Sequence, residues 1–529
     1  MKKFLIFLTI VELLSCKKLM HDEDLTLSKI TSYDQLVLAA GGVYGMLTNR
    51  AIRYDSNEKG DDINWASPYD LYYNRKCYPV SVTDIYYGTA DWQALYLVIA
   101  SANSILDQFN IASIIDVRTR EVLGEMYFIR AYCHFRLTRV YGRIPIIKDA
   151  NFSYNTPLAS FEEIYQFIES DLKMAMEMLP KNNASARQPY ITPHRGTAKA
   201  VLAEVYLAHA GYPIKDASKY TLAAKEAGET IDSANYFGFN ILPDFANVWD
   251  SAHLYNAESV FSLYYHRVEN LSDFYYSSKV YPYYISFSRN LTLANLPRAN
   301  PFYVAPRNFP GTTYYSSEIN FFNNYPEGYR KEITFYTTIY VYNIHYDPSG
   351  AVISADSGYV HIDKATPCNR VAIRKFFYYS YIVQFEHFSN YFVIFGIPRQ
   401  YIFRFAQTEL TYAEAMARSG QLNTKAYDCV NRIRRRAHHL DLEVPSAFDL
   451  PSGLSANAFA DSVVWERAWE LCAEPEGRWF DLIRLEMVED LPKLRNLSEG
   501  GPPGLVFDKS VYFFPIPESD KVLNPNLRK

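Results

Sequence analysis

The stretch Trp65-Ala66-Ser67-Pro68-Tyr69-Asp70-Leu71-Tyr72-Tyr73-Asn74-Arg75 mixes flat aromatic faces with planar polar groups. It has little helical periodicity and reads as a loop. Sugar recognition needs this mixture: rings for the apolar C–H face of a pyranose, and amide, carboxylate or guanidinium groups for its hydroxyls. Trp65, Tyr69, Tyr72, Tyr73, Asn74 and Arg75 are therefore the first candidate ligand-binding residues. Tyr283, Tyr284 and Arg289, in a second aromatic loop, come next. The bland reading stays open beside this one, because several of the same rings could fill a core beneath a long loop.

Other constellations carry less. Asp61-Asp62 has the chemistry to hold a hard cation or a sugar hydroxyl, but adjacent acids in a loop are usually solvated. His361 and Asp363 alternate on a possible strand and share a face, and a metal would need further ligands. His438 and His439 follow Arg434-Arg435-Arg436; neighbours on a helix point to different faces, so a solvated basic helix end is expected. No Gly-rich phosphate loop, G-x-S-x-G or H-E-x-x-H occurs. No catalytic residue, metal ligand or cofactor is assigned, although the many carboxylates neither require nor deny a glycosidase pair.

The chain opens Met1-Lys2-Lys3, continues with an apolar run from Phe4 to Val11, and reaches Leu13-Leu14-Ser15-Cys16. The run is too short to span a bilayer and reads as a signal peptide. Leu13 and Ser15 before Cys16 resemble a bacterial lipobox, which marks Cys16 as the lipidation site. The remaining cysteines, Cys77, Cys133, Cys368, Cys429 and Cys472, are odd in number and form no C-x-x-C. Cys133, Cys429 and Cys472 fall in helical patterns, as small buried apolar residues would.

These residues need a scaffold, and the 529 residues are enough for several subdomains or a repeat array. Hydrophobic residues make 49% and charged residues 21%, which excludes a disordered chain. A net charge of −5 does not suit a nucleic-acid partner. Aromatic residues reach 16%, with 46 Tyr. Apolar periodicity predicts helices over 32–47, 92–109, 119–141, 161–179, 193–210 and 215–231. Trp92 should face Tyr96 one turn on, as a structural pair. Small residues followed by a turn Gly at 201–211 and 410–420 suggest tetratricopeptide-like helix pairs. The two copies stand about 200 residues apart, so no continuous solenoid is expected. Between them the chain turns Tyr- and Pro-rich, with short alternating runs such as 258–265 that read as strands. The expected organisation is a signal peptide (1–15), a lipidated tether (16–30), an N-terminal helical part (31–232), a loop-rich insertion (233–400), and a C-terminal helical part with an extended tail (401–529).

Three stretches together carry a family resemblance. One runs from Gly124 to Leu137 into Tyr141-Gly142-Arg143-Ile144-Pro145-Ile146. The second runs from Trp465 to Leu471 into Gly477-Arg478-Trp479-Phe480-Asp481-Leu482-Ile483-Arg484. The third is Phe514-Pro515-Ile516-Pro517-Glu518-Ser519 with Leu523-Asn524-Pro525-Asn526. In order and spacing these resemble the SusD/RagB family of Bacteroidetes outer-membrane lipoproteins. Ala473-Glu474-Pro475-Glu476 departs from the shorter run more usual before Gly477. The resemblance implies a mainly α fold with tetratricopeptide-like helix pairs and a loop-rich insertion. It implies lipid anchoring at the cell surface, a SusC-like TonB-dependent transporter as partner, glycan capture, and no enzymatic activity. A long helical face would meet the barrel and the loops would form the ligand surface. The same architecture could serve peptides or another non-sugar nutrient; a lipid-anchored glycoside hydrolase is the remaining alternative. In this setting Glu125 and Arg130 are expected to serve helix packing. Glu466, Arg478 and Asp481 are expected to form a buried polar network.

Overall fold

The computed structural model describes residues 29–48, 60–65, 89–151, 153, 155–264, 284–286, 302–303, 315–335, 337–346, 352–361, 371–377, 381–384, 392–395, 399–496 and 506–528. The fold is mainly helical. The N-terminal helices are α1 (Tyr33–Met46), α2 (Thr89–Leu106), α3 (Val117–Tyr141), α4 (Phe161–Met178), α5 (Arg195–His209) and α6 (Ser218–Asp232). Each expected helix is present, and local chemistry sets its ends. Ser32 caps α1 by accepting from the Gln35 amide, and Asp116 caps α3, whose first residue Val117 comes two ahead of the expected start. Ser160 and Glu163 close a capping box on α4. α5 starts after Pro193 because the His194 side chain accepts from the Gly196 amide. α6 starts later than expected because Lys215 sits at φ +63° and breaks the helical path.

α3 is buried on nearly every side, so its polar residues must be satisfied inside the protein. The Arg130 guanidinium donates to both carboxylate oxygens of Asp171 on α4, at 2.7 and 2.8 Å. Glu125 accepts two bonds from Arg187, at 3.0 and 2.7 Å. Both residues thus tie α3 to its neighbours, as expected. His134 meets the Arg130 carbonyl through Nδ1 at 2.9 Å and the Ile147 amide through Nε2 at 3.4 Å. Those partners require the neutral Nδ1–H tautomer, and burial holds its pKa down at about 3. The Trp92 and Tyr96 rings meet edge to face at 4.8 Å, and Trp92 is buried.

Consecutive helices pack on one another from α1 to α6. The next long helix in space is α8 (Phe405–Arg418), preceded in sequence by the short α7 (Tyr329–Thr334). α6 packs directly against α8, and α8 packs against α9 (Thr424–Ala437) and α10 (Ala456–Glu470). The two tetratricopeptide-like pairs, α5–α6 and α8–α9, therefore stack as one continuous run, contrary to the expectation drawn from their separation in sequence. A Cβ on Gly228 of α6 would come within 2.9 Å of the Tyr412 ring of α8. Lys425 Nζ also donates to the Gly228 carbonyl at 3.0 Å. Absence of a side chain lets the two helices meet.

The loop-rich part leaves and re-enters this stack through β2 (Ser259–Tyr264) and β11 (Arg399–Arg404), which pair antiparallel. Apart from half-buried Tyr264, their residues are buried, and the register shifts around Tyr401 and Phe403. Among the described residues, the strands between them, joined by one strand from the N-terminal part, form three small antiparallel sheets. β1 (Ile63–Trp65), β5 (Tyr315–Ser317) and β8 (Val371–Ala372) form the first. β3 (Tyr284–Ser286), β10 (Phe392–Phe395) and β9 (Tyr381–Gln384) form the second. β4 (Phe302–Tyr303), β6 (Thr338–Tyr346) and β7 (Val352–His361) form the third. A core of Phe245, Trp249, Phe322, Phe335, Val371 and Ile373 packs this part against Ala468 and Cys472 at the end of α10.

The joint is also ionic. Glu466 and Glu470 lie one turn apart on α10, and Glu474 follows four residues later, past the helix end. Arg404 donates to Glu258 and Glu470 through Nη1 at 2.7 and 2.8 Å, and to Glu474 through Nε at 2.8 Å. Arg436 bridges Glu258 and Glu470 at 2.5 and 2.8 Å. Arg330 of α7 bonds Glu466 and Glu470 at 2.6 and 2.9 Å, and Lys375 bonds Glu474 at 2.8 Å. Three nearby arginines hold the Glu470 carboxyl below the usual carboxylate range against its burial. The basic run is thus not a solvated helix end. Arg434 and Arg436 join this network and Arg435 pairs with Asp449. His438 stacks on Phe448 and exposed His439 packs on Tyr329, so the two histidines do face different ways.

Cys133, Cys429 and Cys472 are unbridged and buried, and burial pushes their thiols up. Among the described residues, no helix is long and apolar enough to cross a membrane.

Candidate functional site

The aromatic loop springs from the segment Gly60–Trp65, and this stem is held from several sides. Asp61 accepts from Arg478 Nε at 2.6 Å and from Nη2 at 2.9 Å. Asp62 Oδ2 accepts from the Ala473 amide at 2.8 Å. The Gly60 carbonyl accepts from Arg495, and the Asp62 carbonyl accepts from the Glu318 amide at 3.3 Å. Ile63 is 1% exposed and belongs to the core beneath the insertion. Glu318, in turn, caps the short helix Ile319–Asn324 and accepts from the Asn496 amide at 2.6 Å.

Asp61 and Asp62 are therefore neither solvated nor a free cation site. Both are buried, and Asp61 is spent on a two-point bond to Arg478. Burial pushes the Asp62 carboxyl up to about 6, against the opposing pull of the Ala473 amide. The expected contact among Glu466, Arg478 and Asp481 is likewise redistributed. All three are buried, but Glu466 pairs with Arg330, Asp481 with Arg467 and Arg484, and Arg478 with Asp61. The Arg478 guanidinium also lies 4.7 Å from the Trp465 ring centre, and Trp465 stacks along α10 on Trp469 at 6.0 Å. A half-buried tryptophan pair thus stands beside the loop stem.

Trp65 is the last residue of β1, with Tyr315 of β5 as its register partner. Tyr284 opens β3 opposite Phe395 of β10, in a different sheet. Tyr69, Tyr72, Tyr73, Asn74, Arg75, Tyr283 and Arg289 lie outside the described residues, as does Cys16. His361 ends β7, and Asp363 lies outside the described residues. Among the described residues, no three His, Cys, Asp or Glu side chains cluster as metal ligands would.

Sequence reasoning did not single out one concave surface. A groove of about 720 Å³ is lined by Tyr141, Arg143, Phe161, Phe513, Phe514 and Lys521. That volume is in the range of small-molecule sites. Its walls come from the end of α3, the start of α4 and the C-terminal tail, distant in sequence from one another. A smaller pocket of about 30 Å³ lies near Glu204, Arg467 and Arg484.

Stacked helix pairs that carry a loop-rich part, with its ends zipped by β2 and β11, define a SusD-like architecture. The chain belongs to the SusD/RagB family. A SusD-like family described as starch-binding and associating with the outer membrane matches residues 18–207, and the SusD family matches residues 305–529. SusD-like protein P2 of Formosa agariphila is 26% identical over 452 residues, covering 83% of this chain and 79% of that protein. The structure of a SusD homologue from Bacteroides thetaiotaomicron superposes with a TM-score of 0.69 at 21% identity, covering 96% of this chain and 98% of the other. Surface glycan-binding protein A from Bacteroides fluxus superposes with a TM-score of 0.64 at 20% identity, covering 93% and 97%.

Proposed function

We propose that this protein captures oligosaccharide or polysaccharide at the cell surface and delivers it, uncleaved, to a SusC-like TonB-dependent transporter of the outer membrane. The family match over both ends of the chain carries the reading, through a family described as starch-binding and associated with the outer membrane. A structural neighbour named as a surface glycan-binding protein supports it. Lipidation of Cys16 holds the protein on the membrane, and the aromatic loop from Trp65 to Arg75 offers the sugar-stacking surface. The buried stem supports that role, because a binding loop needs a rigid base.

Calorimetric titration of the purified protein against oligosaccharide and peptide panels tests the proposal, with chromatography of each glycan after incubation. Saturable glycan binding with unchanged glycan length is the expected result. Binding confined to peptides overturns the substrate class. Release of reducing ends overturns the non-enzymatic reading.

A further inference from the structure

The described chain begins at Lys29, beside the connection between α2 and α3. The Ile30 amide donates to Gln108 Oε1 at 2.8 Å, just past the end of α2. The Arg118 guanidinium, in the first turn of α3, lies 4.6 Å from the Tyr33 ring centre. The connection itself reads Ile111-Ala112-Ser113-Ile114-Ile115-Asp116-Val117. A turn of 3₁₀ helix over Ile111–Ser113 leads to an extended residue and then to the Asp116 cap. Ile111 and Ile114 pack inward against the main core. Ile115 is 94% exposed and Val117 63% exposed.

Single exposed apolar residues are ordinary on a protein surface, so exposure alone argues nothing. Position does. Cys16 and Lys29 are separated by a chain that spans at most about 45 Å when fully extended. A lipid on Cys16 keeps this connection within that reach of the bilayer. The surroundings suit an interface. Lys29, Arg118 and Arg120 are exposed around it and match headgroup phosphates. Asp116, between the two apolar residues, has its carboxylate engaged by the Arg118 and Thr119 amides and the Thr119 hydroxyl. The other acids close in sequence to these residues are Asp22, Glu23, Asp24, Asp34, Asp107 and Glu121.

We propose that the α2–α3 connection is a membrane-contact point: Ile115 and Val117 enter the apolar edge of the lipid interface, while Lys29, Arg118 and Arg120 meet the headgroups. This rests on the reading of Cys16 as the lipid anchor. The contact supplements the acyl chains and fixes which face of the protein looks down, which acyl chains alone do not do.

The test uses the full lipidated chain in vesicles of phosphatidylethanolamine and phosphatidylglycerol that contain a phospholipid with a photoactivatable acyl chain. Lipid adducts are mapped by mass spectrometry. Residues 111–118 should carry about tenfold more adduct than residues 440–448, whose Leu440, Val444 and Phe448 are also exposed. Ile115→Ser with Val117→Ser should bring the yield down to that of 440–448 while flotation with the vesicles is unchanged. Equal adduct at both segments in a chain that floats overturns the contact and leaves the anchor standing. A chain that does not float overturns the anchor reading and this one with it. Cross-linking of residue 115 in cells to a protein instead of lipid overturns the choice of a lipid partner.

Discussion

Asp61 and Arg478 stand 417 positions apart and meet in a buried two-point ion pair, with Nε and Nη2 on separate carboxylate oxygens. The pair fastens the stem of the aromatic loop to α11 (Arg478–Arg484). Arg478→Met leaves Asp61 buried without its cation and should cost about 3–5 kcal/mol of unfolding free energy. Denaturant titration measures it. Asp61→Asn combined with Arg478→Met should lose much less than the sum of the two single changes; a simple sum would mean that the pair is not coupled.

Glu470 tests the ionic joint between the insertion and the stack. It accepts from Arg330, Arg404 and Arg436. Glu470→Gln should destabilise by about 3–5 kcal/mol. Lys493→Gln, at an exposed pair with Asp490, should leave the unfolding midpoint unchanged. Similar behaviour of the two variants would deny the joint its role.

Asp62 gives a pH signature. Its carboxyl is raised from 3.8 to about 6 by burial, so the folded chain holds a proton that the unfolded chain releases. The stabilisation is complete below about pH 4 and is lost as pH rises through about 6. Asp62→Asn removes that loss. The variant should gain up to about 3 kcal/mol over the natural chain near pH 8 and nothing near pH 4. Parallel stability curves for the two proteins would refute the assignment.

Gly211 follows α5 where the chain turns against α11. A Cβ there would lie 2.5 Å from the Arg484 carbonyl oxygen and 2.7 Å from the Arg484 Cβ. The Tyr212 amide also donates to that carbonyl at 2.9 Å. The backbone has no room to yield, so Gly211→Ala should lower stability by about 1–3 kcal/mol. Thermal unfolding reads it directly.

Two surfaces compete for the ligand, and one pair of variants separates them. Under the proposed function, Trp65→Ala weakens glycan binding by about tenfold, on the scale of one lost stacking contact. It leaves the melting temperature unchanged. Phe513→Ala, in the groove at the C-terminal tail, leaves affinity unchanged. The reverse pattern moves the site to the groove, and a collapse in stability with Trp65→Ala makes that residue core.

Local signals in the sequence carried the helices well. Ser32, Asp116 and Ser160 mark starts by chemistry that acts within three residues, and Trp92 and Tyr96 meet within one helical turn. Charge pairing was not legible. Arg434, Arg435 and Arg436 look alike in sequence, yet they reach Glu466, Asp449 and the Glu258–Glu470 pair in turn. Nothing in the spacing of Asp61 and Arg478 announces their contact, because only the tertiary fold brings them together. The candidate loop was visible as a composition of rings and polar groups, but its stem was not: Asp61 and Asp62 look solvated until Arg478 and Ala473 are in place. The same limit hid the continuity of α6 with α8, two helices that are remote in sequence and adjacent in space.

That continuity bears on how the insertion can change. Tyr264 and Arg399 are register partners at the mouth of the β2–β11 pair. The segment between them closes one loop on the helical stack and also docks on it, through Arg330 to Glu466 and Glu470 and through Lys375 to Glu474. The entropy of closing such a loop grows only with the logarithm of its length, so doubling it adds about 0.6 kcal/mol. Residues that make none of these docking contacts can be added, removed or rewritten between the two strands at only that small loop-closure cost. The insertion can therefore change in length and composition while the scaffold beneath stays the same.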